Sequence, residues 1–434
     1  MKKKIVTMLL ILTCITSALL SGCTTTAINP DASDSANIID IPPTAAPYEP
    51  VWLIAPTQTE EDQNVSEAYL SLTANLARMN YQPNTNMMIS PASIEFALGM
   101  TLAGAEGETL AQMNRILGNT ASREEILDFC RTYQNSLNEE EDSPFHVANS
   151  IWINKKIIKG SLKKTYTSTL DDVFNAESYT ENFTNSTKNE INNWCSKNTN
   201  KMIPELLTEI NPEAASYLIN TICFEEEWVE PYEEWQIKED IFHNEDETQT
   251  NAEFLHETLG FYYETDNACG FSKYYKGYKY AFVAVLPDEE VGLETYMENF
   301  SAKEYQDFME SETTKYDVRT KLPKFKNDYS VNLNNQLQML GMTDAFTPAA
   351  DFSGIIDKSQ NELYISNVIH KTHIDLDECG TKAAAATLIE MRDAACAVTE
   401  EKQEREVYLD RPFLYMIVDM DTQMPIFIGT VNCL

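Results

Sequence analysis

Apolar positions along this chain follow two periods, and the dominant period changes with position. The stretch "VSEAYLSLTANLARM", starting at Val65, carries apolar residues at helical spacing. "ISPASIEFALGMTLAGA" opens with Ser90-Pro91, a hydroxyl N-cap followed by a proline suited to the first turn, and predicts a second helix. Further on the pattern turns β-branched and aromatic. "HVANSIWIN", "YLINTICF", "YAFVAVLP", "ELYISNVIHKTHIDL" and "FLYMIVDM…PIFIGTVNCL" predict strands separated by turn residues. Helices dominate early and strands dominate late. That order predicts an α+β fold whose strands pair far apart in sequence, not a regular βαβ alternation. No internal repeat and no second linker interrupt the region, so one domain over 64–434 is expected.

One stretch fits neither trend. Glu378–Val398, "ECGTKAAAATLIEMRDAACAV", has the composition of a helix, with four consecutive alanines and almost no breaker. It nevertheless stands just upstream of "EVYLDRPFLYMIVD", which reads as strand.

The beginning of the chain has a different character. "MKKK" is a positive segment, and the apolar run that follows is short for a membrane span. It ends in Leu20-Ser21-Gly22-Cys23, which resembles a bacterial lipobox. The expectation is a lipoprotein signal peptide over 1–22, removed in the mature protein, and a diacylglycerol group on Cys23. The protein would then be exported and lipid-anchored to the membrane at the outer cell surface, or released extracellularly. Residues 23–63 are rich in Thr, Ala, Pro, Asp and Ser and predict a flexible tether. Fully extended, it would reach on the order of 130 Å.

Composition narrows the function classes. Of the 434 residues 43% are apolar, enough for a sizeable core. The formal net charge is −36, which repels nucleic acid and argues against a DNA or RNA role. Apart from Cys14 and Cys23, seven cysteines are scattered: Cys130, Cys195, Cys223, Cys269, Cys379, Cys396 and Cys433. Their spacing forms no disulfide framework, so most are expected as free thiols.

Recognised catalytic motifs are few in this chain. No G-x-S-x-G elbow occurs, and Ser161-Leu162-Lys163-Lys164 matches S-x-x-K without the companion motifs of a β-lactamase. No H-E-x-x-H is present among the five histidines. "DLDECG" starts like an EF-hand loop, but Cys379 and Ala386 stand where oxygen ligands are needed. No catalytic residue, metal site or cofactor is assigned.

Several blocks in order instead resemble the serpin family. They are "NMMISPASIEFALGMTLAGAEGET", "VANSIWIN", "INNWCSKNTNKMIPELL", "LINTICFEEEW", "LPKFKNDYSVNL", "LGMTDAFTPAADFSGI", "LYISNVIHKTHIDLDECGTKAAAAT" and "DRPFLYMIVD". The resemblance runs from Val65 to Leu434. It implies three β-sheets with about nine helices and an exposed reactive loop, here about 378–408. It also implies an inhibitor of serine proteases, not an enzyme. The target protease attacks the loop as a substrate and becomes a covalent acyl complex. The severed arm then inserts into the central sheet, a strand-addition and strain-release mechanism. The chain is expected to act as a monomer. A non-inhibitory, serpin-like surface binding protein is the alternative. A serine hydrolase resting on Ser161 and Lys164 is the third class.

The resemblance also assigns sites. Glu378, Gly380, Thr381, Ala383, Ala384, Ala385, Ala386 and Thr387 match the hinge of the inserting arm. Alternate residues of a strand face one way, so Thr381, Ala383, Ala385, Thr387 and Ile389 would turn inward and Lys382 outward. No inward residue is charged, and a charge there would cost several kcal/mol. Thr381 is expected to travel from solvent into the sheet. Ser90, Ser93, Asn220 and His370 match a polar "shutter" beneath the sheet; Trp228, Lys324 and Glu378 match the "breach" where insertion starts. Trp194 and Phe224 are equally explained by core packing. Three positions depart from the family pattern: Glu225-Glu226 replace Lys-Gly, Asn200 replaces a usual glycine, and Cys379 sits in the hinge.

Counting the family's fifteen residues from Gly380 places the cut bond at Ala394-Ala395. Alanine before the bond fits the shallow pocket of elastase-like or some subtilisin-like proteases. Arg392-Asp393, Cys396-Ala397 and Ala397-Val398 stay open as other registers.

Overall fold

The computed structural model describes residues 65–138, 143–356, 363–381 and 402–434. Among the described residues are nine α-helices, two 3-10 turns and three β-sheets of six, four and seven strands. This is the expected α+β architecture, and its helices do concentrate in the first half of the region.

The helix Pro91–Leu102 is buried along its whole length. Ser90 caps it, its hydroxyl accepting from the Ser93 N–H at 3.2 Å, and Pro91 stands in the first turn. Both features follow from the local sequence. The helix lies beneath the six-stranded sheet, whose strands Tyr280–Pro287, Phe413–Asp419 and Met424–Val431 are buried at every position. Strands this apolar belong in the middle of a covered sheet. The four-stranded sheet runs Gln403–Tyr408, Tyr316–Pro323, Gln249–Leu259, Ile237–His243.

The seven-stranded sheet positions the site. Its order is Glu177–Glu181, Phe145–Asn154, Ser216–Phe224, Asn367–Leu376, Gly380–Thr381, Glu226–Glu227, with Phe325–Asn332 also paired to Asn367–Leu376. Phe145–Asn154 and Ser216–Phe224 pair antiparallel from Phe145↔Phe224 to Ile153↔Ser216. Ser216–Phe224 and Asn367–Leu376 run parallel, but their backbone pairing covers only Asn367↔Tyr217 and Val368↔Leu218.

The predicted strand "ELYISNVIHKTHIDL" starts later than expected, at Asn367. Residues Tyr364–Ser366 spend their polar groups elsewhere. The Ser366 carbonyl accepts from Asn334 Nδ2 at 2.8 Å, the Tyr364 carbonyl accepts from Ser216 Oγ, and the Ile365 N–H donates to the Ala345 carbonyl. With those groups engaged, no regular ladder forms there.

A second, smaller apolar cluster lies between the helix Asn185–Asn198 and the outer face of this sheet. It contains Trp152, Ile191, Trp194, Cys195, Ile219 and Cys223. Trp194 thus packs in this cluster, and Phe224 packs in the main core against Phe145 and Tyr275.

Candidate functional site

The strands Ser216–Phe224 and Asn367–Leu376 pair directly at one end, and beyond Phe224 the chain continues to Glu226, level with Leu376. The same offset in numbering separates Val368 from Leu218 at one end and Leu376 from Glu226 at the other. At the second end, however, Leu376 and Glu226 do not pair with each other. Thr381 stands between them and pairs with both, while Gly380 pairs with Glu227. The chain therefore turns back at the end of its own strand and places two residues in the sheet.

The turn is local. Asp377 Oδ1 accepts from the N–H groups of Cys379 (2.7 Å) and Gly380 (3.3 Å), and the Asp377 N–H donates to the Gly380 carbonyl at 3.0 Å. An aspartate followed by glycine suits such a turn. Glycine is required at 380 by proximity. A β-carbon there would lie 2.1 Å from the Glu226 carbonyl oxygen and 2.7 Å from Glu227 Cα.

Thr381 is already buried, at 2% exposure, and its hydroxyl lies 2.6 Å from the Tyr275 hydroxyl. This corrects the expectation that Thr381 starts in solvent. The site has a pairing strand on each side and a hydroxyl partner, so threonine is satisfied there before any cleavage. Both ends of the span 378–408 belong to sheets, since Gln403–Tyr408 pairs in parallel with Tyr316–Pro323. Ala383–Thr387, the bond Ala394-Ala395 and Cys23 lie outside the described residues.

Trp228, predicted at the breach, is fully buried and stacked on Tyr275 with ring centres 4.3 Å apart. Its backbone N–H donates to the Cys379 carbonyl at 2.8 Å and its indole N–H to the Asp377 carbonyl at 3.1 Å. Tyr232 N–H donates to the Glu378 carbonyl at 2.9 Å. Lys324 Nζ lies 2.8 Å from Glu378 and 2.9 Å from Glu253. The Lys324 hydrogen bond holds the Glu378 carboxyl below its usual range. Trp228, Lys324 and Glu378 thus meet at one end of the sheet, around the hinge.

The four residues predicted for the shutter also meet, midway along the strands. The Ser90 N–H donates to His370 Nε2 at 3.0 Å, Ser90 Oγ donates to the Ile426 carbonyl, and Ser93 Oγ donates to Asn220 Oδ1. Burial drives the His370 pKa down to about 3, so its ring is neutral and free to accept. Asn220 Nδ2 donates to Asn149 Oδ1 at 2.5 Å, and Asn149 Nδ2 donates to Gln134 and to the Phe174 carbonyl. Thr372 Oγ1 donates to the Met88 carbonyl at 2.7 Å. Asn149 and Thr372 were not singled out from the sequence. Both lie at buried positions of predicted strands, and a polar residue there was the available signal.

Two departures from the family pattern touch each other. Asn200 takes a left-handed conformation, φ 48, which asparagine tolerates. Its Nδ2 lies 2.8 Å from His146 Nε2 and 3.4 Å from Glu225 Oε2. The described cysteines, including Cys379, are free thiols. Ser161 is exposed ahead of the helix Lys164–Phe174.

Comparison with known proteins decides the family. The model of serpins (serine protease inhibitors) matches residues 65–434. The chain belongs to the serpin family. This serpin is 30% identical to a leukocyte elastase inhibitor of Xenopus tropicalis, over 85% of this chain and 98% of the relative. It is 30% identical to Iripin-5 of Ixodes ricinus, over 81% of this chain and 89% of the relative. Among solved structures it is similar to the thermophilic serpin tengpin in its native state, at 37% identity and a TM-score of 0.79 over 87% of this chain and 96% of that one. Tengpin in its latent state aligns at 35% identity and a TM-score of 0.74, over 87% of this chain and 100% of that one. The family and its inhibitor relatives place this serpin among protease inhibitors, not enzymes.

Proposed function

We propose that this serpin is a suicide-substrate inhibitor of serine proteases that prefer a small residue before the cut bond. The observation that carries the reading is the interposed pair Gly380–Thr381. It occupies one end of a parallel seam whose strands are directly paired only at the other end. A strand continuing from Thr381 would add to the ladders on both sides. About a dozen new backbone hydrogen bonds, each worth roughly 0.5–1.5 kcal/mol net, would make the inserted state much lower in energy. The alternate positions from Thr381 onward are uncharged and small enough to enter.

The target's serine oxygen attacks the carbonyl carbon of Ala394. The peptide bond breaks, the amino group of Ala395 leaves with a proton, and an ester joins the protease to Ala394. Insertion of the arm then carries the ester-linked protease away before water can hydrolyse it. Ser90, Ser93, Asn220 and His370 act as the polar latch across the middle of the seam. Trp228, Lys324 and Glu378 hold its hinge end. The mature protein begins at Cys23, carries lipid there, and holds the inhibitory domain clear of the membrane on residues 23–63.

The test mixes the mature protein with an elastase-type and a trypsin-type protease. A denaturant-resistant complex with the elastase-type enzyme is expected. Loop cleavage with no complex would overturn inhibition and favour a surface binding protein. N-terminal sequencing of the released C-terminal fragment fixes the bond, with Ala395 expected first. Cys23→Ser should move the expressed protein from the membrane to the soluble fraction.

A further inference from the structure

Behind the hinge lies a charged residue in an unusual place. Lys273 belongs to the strand Ala268–Tyr274 of the six-stranded sheet, and its side chain is only 4% exposed. Its Nζ donates to the Glu230 carbonyl at 3.0 Å and lies 2.5 Å from the carboxylate of Glu257, itself 15% exposed. The ammonium also lies 4.2 Å from the ring centre of Tyr232 and 5.6 Å from that of Trp228. A buried ammonium is costly unless it is paired and hydrogen-bonded, and this one is both.

Its partners fall on separate elements. Glu257 belongs to the four-stranded sheet. Trp228, Glu230 and Tyr232 belong to the segment that crosses behind the hinge. The backbone N–H groups of Trp228 and Tyr232, and the Trp228 indole, carry the hydrogen bonds to the carbonyls of Asp377, Glu378 and Cys379. Lys273 thus touches one side of the crossing, and the hinge is bonded to the same crossing.

We infer that Lys273 is a positioning residue for loop insertion: it fixes the Trp228–Tyr232 crossing on which the hinge is seated, and so sets how fast the sheet admits a new strand. The inference rests on the proposed insertion mechanism. A purely structural role makes a different prediction. Removing Lys273 alone leaves the largely enclosed Glu257 carboxylate unpaired and destabilises the whole fold, whereas replacing both charges with apolar side chains removes that penalty. The double replacement still deprives the crossing of its bond at Glu230 and of the ammonium beside its two rings.

The experiment compares the wild type, K273L and the double variant K273L/E257L. One readout is the urea midpoint. The other is the rate at which each takes up a synthetic peptide with the sequence of residues 381–391, followed by the rise in thermal stability. The double variant is expected to recover the wild-type midpoint yet take up peptide about tenfold faster, the size of one lost hydrogen bond to a charged group. A double variant with both midpoint and uptake rate of the wild type would overturn the inference. No uptake by the wild type would overturn the insertion mechanism and the inference with it. Uptake by the wild type without protease trapping would overturn inhibition alone, and the variant rates would still decide the role of Lys273.

Discussion

The two ends of the seam between Ser216–Phe224 and Asn367–Leu376 are closed by different means. At the far end the strands pair directly, Asn367 with Tyr217 and Val368 with Leu218. Asparagine side chains reinforce that end: Asn334 Oδ1 accepts from the Val368 N–H, and Asn332 Nδ2 donates to Asn367 Oδ1. At the hinge end the strands are held apart by two residues of the chain's own loop, and the surrounding bonds come from Trp228, Tyr232 and Lys324. The far end is closed by direct pairing of the two strands and by the asparagine side chains beside it. The hinge end is closed by Gly380–Thr381, two residues that the chain itself interposes between the strands, so under the proposed mechanism its stability and its capacity to accept more strand depend on the same residues.

The largest expected effect on protease trapping comes from forcing that segment out. Thr381→Arg would put a guanidinium into a site that is 2% exposed and faces the Tyr275 hydroxyl. Burying an unpaired charge costs several kcal/mol. The variant should form protease complexes at least ~100-fold less often per cleavage, about 2.7 kcal/mol in partition, while loop cleavage continues. Complex and cleaved product are counted on a denaturing gel. Wild-type trapping by this variant would mean that the hinge end plays no part in insertion.

The middle of the seam should respond to pH in a way the hinge end does not. His370 has a folded-state pKa of about 3 against the ordinary 6.5. Below pH 6.5 the unfolded chain takes up a proton that the folded ring refuses, so stability falls as pH drops toward 3. Glu95, in the helix behind Ser90 and Ser93, moves the opposite way. Both its carboxylate oxygens lack a hydrogen-bond partner among the described residues, and burial raises its pKa from 4.5 to about 8. Here the unfolded chain releases its proton first, so stability falls as pH rises from 4.5 through 8. Each loss is on the order of 5 kcal/mol when complete. Urea midpoints from pH 4 to 9 should bend at both ends. Glu95→Gln should flatten the alkaline side, and His370→Asn the acid side.

These features differ in how far the sequence announced them. The Ser90-Pro91 helix start and the apolar strands are local patterns, legible because period and capping chemistry act over a few residues. The seating of Thr381 was not legible. It depends on Glu226 and Leu376 holding a register set by strands far away in the chain. Lys273 was hidden for a related reason. A lysine in a strand usually marks a solvent face, and only the arrival of Glu257, Glu230 and two rings makes a buried position acceptable to it. Glu95 sits at a core position of a helix that the pattern did predict, but no local rule says that its carboxyl would find no hydrogen-bond partner among the described residues.

Gly380→Ala probes the hinge end more gently than Thr381→Arg. The new methyl would sit 2.1 Å from the Glu226 carbonyl oxygen, so the backbone must shift. Overpacking of this kind costs roughly 1–3 kcal/mol. The expected result is faster hydrogen exchange at Gly380–Thr381's pairing partner Glu226–Glu227, with exchange at Tyr217 and Leu218 unchanged. Equal acceleration at both ends would show that the seam opens as one unit.

The smallest effect should come from the ion pair that marks the hinge end most visibly. The Lys324 and Glu378 side chains are 25% and 34% exposed, and Lys324 also reaches Glu253. Such a pair is screened by water and salt, so Glu378→Gln should change global stability by only about 0–1 kcal/mol. The sign with pH follows from the lowered Glu378 pKa. Its contribution is present above the ordinary carboxyl range and disappears as pH falls through the folded-state value. The carbonyl of Glu378, which accepts from Tyr232, is untouched by the substitution. A loss of several kcal/mol in Glu378→Gln, measured by urea unfolding at neutral pH, would therefore place the anchoring of the hinge in its side chains. A small loss that vanishes in high salt places the anchoring in the backbone bonds to Trp228 and Tyr232, where the contrast with the far end is then one of partner, not of bond type.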